Sequence, residues 1–109
     1  MNKAGFVQKG ETIDVTNSGS AAIGYGEIVS LNTRVGVAAA PIAVGEAGAV
    51  HVVGVFEFPK AAEAVTLGAA MYYDATNDVM TTVATGNVSA GWAVAAAASA
   101  DADVKVKLG

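Results

Sequence analysis

Few residues of this chain have the chemistry of a reactive site, and those few lie far apart. His51 is the sole histidine and there is no cysteine among the 109 residues. A nucleophilic triad needs a base held beside an activated hydroxyl or thiol. No serine motif accompanies His51, so it reads as a residue at the start of a strand, near a sheet edge or a subunit contact. A histidine in such a place offers a protonation-sensitive contact. Without cysteine, a disulfide framework and a thiolate metal site are both excluded. Asp74-x-Thr76-x-Asp78 spaces its oxygens like the opening of a calcium loop. The sixth position should be glycine and is Val79; the twelfth should be a bidentate glutamate and is Thr85. A β-turn between strands accounts for these residues without a metal, and Asp101-x-Asp103 reads as a second, solvated turn. Glu57 and Glu63 have no partner carboxylate for acid–base work. Gly19, Gly24 and Gly26 cluster, but no lysine follows and they lead into a strand, so they relieve a bend rather than cradle a phosphate. The residues assign no catalytic, cofactor or metal role. The chain reads as a non-enzyme with no cofactor and no small-molecule substrate.

The elements around these residues are short strands. Val50 to Lys60 is the longest β-branched and aromatic run, stopped by Pro59, and reads as a central core strand. Val50, Val52, Phe56 and Phe58 form its apolar face, with Gly54 as a gap. The other face carries Val53 and Val55 between His51 and Glu57, which suits contact with another sheet or another subunit. Upstream, Glu11 to Thr16 alternates cleanly, with Ile13 and Val15 on one side. Glu27 to Leu31 and Arg34 to Ala38 are strands joined by a tight Asn32-Thr33 turn. Pro41 makes Ile42 to Val44 an edge or connector, and Gly45-Glu46-Ala47-Gly48 turns into the central run. Downstream, Lys60 to Ala64 is a short helix or loop, Ala69 to Tyr73 and Val79 to Val83 pair around the turn at 74–78, and Gly86-Asn87 turns again. Gly91 to Ala97 is read as a buried strand and Val104 to Leu108 as a final amphipathic one. Phe6-Val7-Gln8 is either a short strand or an extended arm. No internal repeat stands out. Short strands with frequent turns predict an all-β fold: a small sandwich or barrel, mostly antiparallel, with at most one short helix near 60–64. Residues 1–109 form one β domain, with 1–10 as an extended arm.

Composition narrows the function. Hydrophobic residues make up 53% of the chain but aromatics only 6%, so the core is built of small side chains. Each buries little area at ~25 cal/mol per Å², and a thin core of this kind gains from oligomerisation. A net charge of −4 with six scattered basic residues argues against nucleic acid as a partner, since such binding needs clustered cations. No signal peptide is read at the amino terminus. The charge-free run from Val79 to Ala100 is interrupted by Thr81, Thr82, Thr85, Gly86, Asn87, Ser89 and Gly91, which argues against a membrane span.

Motif order along the chain then carries a resemblance. Phe6-Val7-Gln8-x-Gly10, Ile13-x-Val15-Thr16, Gly36-Val37-Ala38 and Ile42-Ala43-x-Gly45-x-x-Gly48-x-Val50 lead into Gly54-Val55-Phe56-Glu57-Phe58-Pro59-Lys60. Gly68, Tyr72-Tyr73-Asp74, Gly86-Asn87, Gly91-x-Ala93-Val94 and Val104-x-Val106-Lys107-Leu108 follow. In this order and spacing the chain resembles the tailed-phage and prophage capsid cement, or decoration, proteins. Phe58, Tyr73 and Lys107 stand where the family often has Leu, Trp and Arg. The resemblance implies a structural virion protein on the outer capsid surface, made in the host cytoplasm. It implies binding to the major capsid protein, cementing of neighbouring capsid subunits, and self-association as a homotrimer. Phe6, Val7 and Gln8 are expected to form a capsid-contact arm that adds a strand to an open sheet edge. His51, Val53, Val55 and Glu57 are expected at or near the subunit contact. The alternative function is a nucleic-acid-handling accessory phage protein of the recombination type, a label some relatives have carried. It would need a basic groove with stacking aromatics, and the few aromatics here lie beside acids or in core-like runs.

Overall fold

A computed structural model describes residues 2–109; of the arm expected over 1–10, Met1 lies outside them. The described residues form nine strands and no helix: β1 (Thr12–Thr16), β2 (Ile28–Ser30), β3 (Val35–Ala38), β4 (Ala47–His51), β5 (Gly54–Pro59), β6 (Ala70–Asp74), β7 (Val79–Thr81), β8 (Val88–Ala93) and β9 (Asp103–Leu108). All ladders are antiparallel, in a four-stranded sheet ordered β1-β4-β3-β2 and a five-stranded sheet ordered β5-β9-β8-β6-β7. The fold is all-β and sandwich-like rather than a closed barrel, as the spacing of strands and turns predicted. Lys60 to Ala64 takes the irregular form of its two readings, with no helix.

The central run is not one strand. Val50 and His51 end β4 in the first sheet, whereas Gly54 to Pro59 form β5 in the second. Val52 and Val53 make the crossing: the Val52 amide donates to the Glu11 carbonyl at 3.0 Å, and Gly54 follows at φ +131°. That angle is one L side chains rarely adopt, so the only glycine in the run is where the chain changes sheet. Two further boundaries shift. β4 starts at Ala47, inside the expected turn, and β8 occupies Val88–Ala93 rather than 91–97, with Ala97 held only by an isolated bridge to Val65.

The two sheets are built on one plan, a repeat that the sequence reading does not detect. The pairs Thr12–His51, Ile13–Val50, Asp14–Ala49, Val15–Gly48 and Thr16–Ala47 of β1 and β4 recur as Val55–Lys107, Phe56–Val106, Glu57–Lys105, Phe58–Val104 and Pro59–Asp103 of β5 and β9. Ile28–Val37 and Val29–Gly36 recur as Ala70–Trp92 and Met71–Gly91. The bridge Ile23–Ile42 recurs as Val65–Ala97, each made by two amide–carbonyl hydrogen bonds of 2.8–2.9 Å. Gly36 and Gly91 occupy the same place. A Cβ on Gly36 would lie 2.9 Å from the His51 carbonyl oxygen, and one on Gly91 only 1.9 Å from that of Lys107. The residue after each first strand is a buried side-chain donor. Asn17 Nδ2 donates to the Ala21 and Ile42 carbonyls at 2.9 and 3.0 Å, and Lys60 Nζ to those of Ala61 and Ser99 at 3.0 and 3.2 Å. Each ties down the link that follows it, and its own buried nitrogen finds two carbonyl acceptors there.

The copies differ in two ways: the second bulges at Ala90, between the pairs Met71–Gly91 and Tyr72–Ser89, and it contains β7, absent from the first. β7 lies on the outer edge of β6 and touches the end of β5 through a parallel bridge, Lys60–Met80, with the Ala61 amide donating to the Met80 carbonyl at 2.9 Å. The cores follow suit. The second half gathers Phe58, Val65, Met71, Met80, Ala93, Val106 and Leu108, whereas the first holds a small cluster of Val29, Ala38, Ile42 and Val50. The other face of the first sheet, through Val35, Val37 and Ile28, packs onto the second half, which is why β3 is buried along its whole length.

Candidate functional site

The residues singled out for chemistry fall into structural roles. Asp74 Oδ1 accepts from the Thr76 and Asn77 amides at 3.0 and 3.2 Å, and its Oδ2 from Asn77 Nδ2 at 2.7 Å. These bonds, the Asn77 side chain foremost, hold its carboxyl below its usual range, and they make an Asx-type turn. Tyr73 donates to Asp78 Oδ1 at 2.5 Å, and burial, reinforced by that bond, pushes the phenol up. Asp101 Oδ2 accepts from the Ala98 amide at 2.8 Å, closing another turn. Glu63 accepts from the Thr82 amide and from Thr81 Oγ1, clamping the end of β7; the Thr82 bond is the main reason its pKa is lowered. Among the described residues no three His, Cys, Asp or Glu side chains are grouped to hold a metal.

What the fold presents instead is surface. Across β5, β9, β8 and β6, Val55, Lys107, Trp92 and Ala70 form one row on the outer face of the second sheet. Beside it Glu57 faces Lys105. Val55 is 54% exposed and Trp92 43% exposed, large apolar groups standing clear of any core. The equivalent row of the first sheet is Thr12, His51, Val37 and Ile28. There Val37 is buried, Ile28 packs on the second half, and the His51 ring lies 5.6 Å from that of Phe56. One face position is therefore covered in the first copy and bare in the second. A bare apolar patch of this kind marks an interaction site more often than chance exposure.

The residues expected at the subunit contact are spread over this region. His51 is half-buried and lines a cleft of about 230 Å³ between the halves, with Tyr25, Phe56 and Glu57. Val55 and Glu57 belong to the exposed face of β5, and Val53 lies in the link before it. Phe6 and Val7 are 86% and 88% exposed, Gln8 is exposed, and all three lie outside every strand.

Trp92 escapes the sequence reading. Reading 91–97 as a buried strand hid that Trp92 points away from the core that receives Ala93. Tyr25, Val44 and Leu67 were missed too. They are exposed apolar residues at the tips of recurring turns, each just before a glycine at φ between +80° and +87°.

Comparison with curated proteins and with solved structures gives no match. A family model described as phage cement protein matches residues 7–108, nearly the whole chain and both halves of its duplicated plan. The chain therefore belongs to the phage cement protein family.

Proposed function

We propose that this protein binds the outer surface of an assembled capsid as a homotrimer and braces neighbouring major capsid subunits. Family membership supports a capsid-cementing structural role. The observation that carries the finer reading is the bare row Val55–Lys107–Trp92, whose counterpart in the first half is covered by protein. A cement needs such a face because its affinity comes from apolar surface removed from water, multiplied by simultaneous engagement of several sites. Trp92 is the natural anchor, since aromatic residues in a desolvated patch carry a large share of interface energy. Glu57 and Lys105 beside it supply a polar rim. Val53, Val55 and Glu57 lie close enough to share the contact between copies, and His51 would sense it from the cleft.

The test is co-sedimentation with mature capsids lacking this protein. Wild-type chain should pellet with them, and Val55→Ser/Trp92→Ser should bind about tenfold more weakly or worse, each tenfold being about 1.4 kcal/mol. Wild-type chain that stays in the supernatant would overturn the cement reading. A double variant that binds like wild type would remove this face from it.

A further inference from the structure

The strand that only one of the two copies contains points to where the amino-terminal arm goes. In the second half, β7 fills the gap between the outer edge of β6 and the end of β5, and Met80 at its centre is fully buried. In the first half nothing occupies that gap. A groove of about 450 Å³ runs there, lined by Val15, Asn17, Ile23, Ile28, Val29 and Ser30 among others. These correspond to the surroundings of β7: Asn17 stands where Lys60 does, and Ser30 and Leu31 where Tyr72 and Tyr73 pair with Thr81 and Met80. The core records the vacancy. Phe58 and Val65 are each 2% exposed beneath β7, while their counterparts Val15 and Ile23 are only half-buried. The outer edge of β2 pairs with no other strand among the described residues, and an uncovered edge beside half-buried apolar side chains invites strand addition.

We propose that this groove receives Phe6-Val7-Gln8 of a second copy of the chain, laid in as the missing counterpart of Val79-Met80-Thr81. The segments match in pattern, two apolar residues and then a polar one, and the arm is exposed and unpaired where it stands. Direction fixes the source. β7 runs antiparallel to β6 and parallel to β5, so the occupant must run antiparallel to β2 and parallel to β1. A chain's own arm cannot do this. Laid parallel beside the end of β1, it would have to return from the level of Asn17 to that of Thr12, about 17 Å at ~3.4 Å per residue. The four steps from Gln8 to Thr12 reach at most about 14 Å, and folding back directly gives the antiparallel direction instead. A neighbour's arm has neither restriction. Such a contact is head-to-tail, so it closes into a ring when the rotation between copies permits. The proposal rests on the duplicated fold and does not depend on capsid binding.

The register places Gln8 of one copy opposite Ser30 of the next, and both side chains are exposed. Since the chain has no cysteine of its own, a tagged Gln8→Cys chain can be mixed with an untagged Ser30→Cys chain under mild oxidation, with no capsid present. The expected product is the disulfide-linked mixed dimer, well in excess of either symmetric dimer. Single chains alone, or mixed and symmetric dimers in equal yield, would overturn the proposal. A chain lacking residues 2–9, its β-type circular dichroism retained, should fall to single-chain mass by light scattering. An unchanged oligomer mass would also overturn it, and loss of capsid binding with that mass intact would assign the arm to the capsid protein instead.

Discussion

Replacing Gly91 by alanine gives the sharpest test of the duplicated fold. The new Cβ would lie 1.9 Å from the Lys107 carbonyl oxygen, a backbone atom in the neighbouring strand, with Leu108 Cα at 3.5 Å. No rotamer relieves a clash with backbone, so β8 must move more than 1 Å away from β9. That movement strains the pairs Gly91–Leu108, Trp92–Lys107 and Ala93–Val106 over a core that contains Ala93 and Leu108. Losing two ladder hydrogen bonds at about 0.5–1.5 kcal/mol each, with the repacking cost of about 1–3 kcal/mol for an overfilled site, gives a destabilisation of roughly 2–6 kcal/mol. Gly36→Ala meets Val50 Cγ1 at 2.4 Å and the His51 carbonyl oxygen at 2.9 Å. A side chain can yield where a carbonyl cannot, so its cost should be smaller but in the same direction. Gly5→Ala, with nothing within 4 Å, is the control. Urea denaturation at unchanged slope reads all three. Gly91→Ala within 0.5 kcal/mol of wild type would refute the close approach, and with it the register on which the duplication rests.

Two more perturbations probe the strand that completes the second half. Met80→Ala empties a fully buried site beside Phe58 and Val65, so urea denaturation should show a loss of about 2–5 kcal/mol; a loss under 1 kcal/mol would mean β7 is not a plug. Glu63 has its pKa lowered from an ordinary 4.5, chiefly by the Thr82 amide, so its stabilisation is full above that value and is lost as pH falls through the lowered one. Melting temperatures of wild type and Glu63→Gln should therefore differ at pH 7 and converge as the pH falls below 4.5 and through the lowered value; a constant difference would contradict the clamp.

Much of this fold is legible in the sequence because one wet face forces alternation. Ile13 and Val15 against Asp14, and Val104, Val106 and Leu108 against Lys105 and Lys107, reveal β1 and β9 directly. The crossing at Val52-Val53-Gly54 is hidden because β-branched residues favour extended backbone without saying which sheet it joins. The duplication is hidden because paired positions share character rather than identity: Ile13 with Phe56, Asp14 with Glu57, Val15 with Phe58. The β7 hairpin also lengthens the second copy between its second and third common strands, so no fixed period survives. One signal was available. An apolar residue, two others, a glycine and then a short or acidic residue recur at Ile23–Glu27, Ile42–Glu46, Val65–Ala69 and Val83–Asn87. Each closes a turn by the last residue's amide donating to the second residue's carbonyl at 3.0–3.2 Å. The exposed site was partly legible, through Val55 and Glu57. Trp92 was not, since an Ala-rich run read as a buried strand offers no outward face on which to place it.

The cement role is tested most directly by imaging capsids with and without the protein. The account expects added density on the outer surface only, three copies around each occupied position, with the Val55–Trp92 face of the second sheet against a neighbouring molecule. Capsids whose outer surface is unchanged by saturating protein, or bound copies with that face open to solvent throughout, would contradict it.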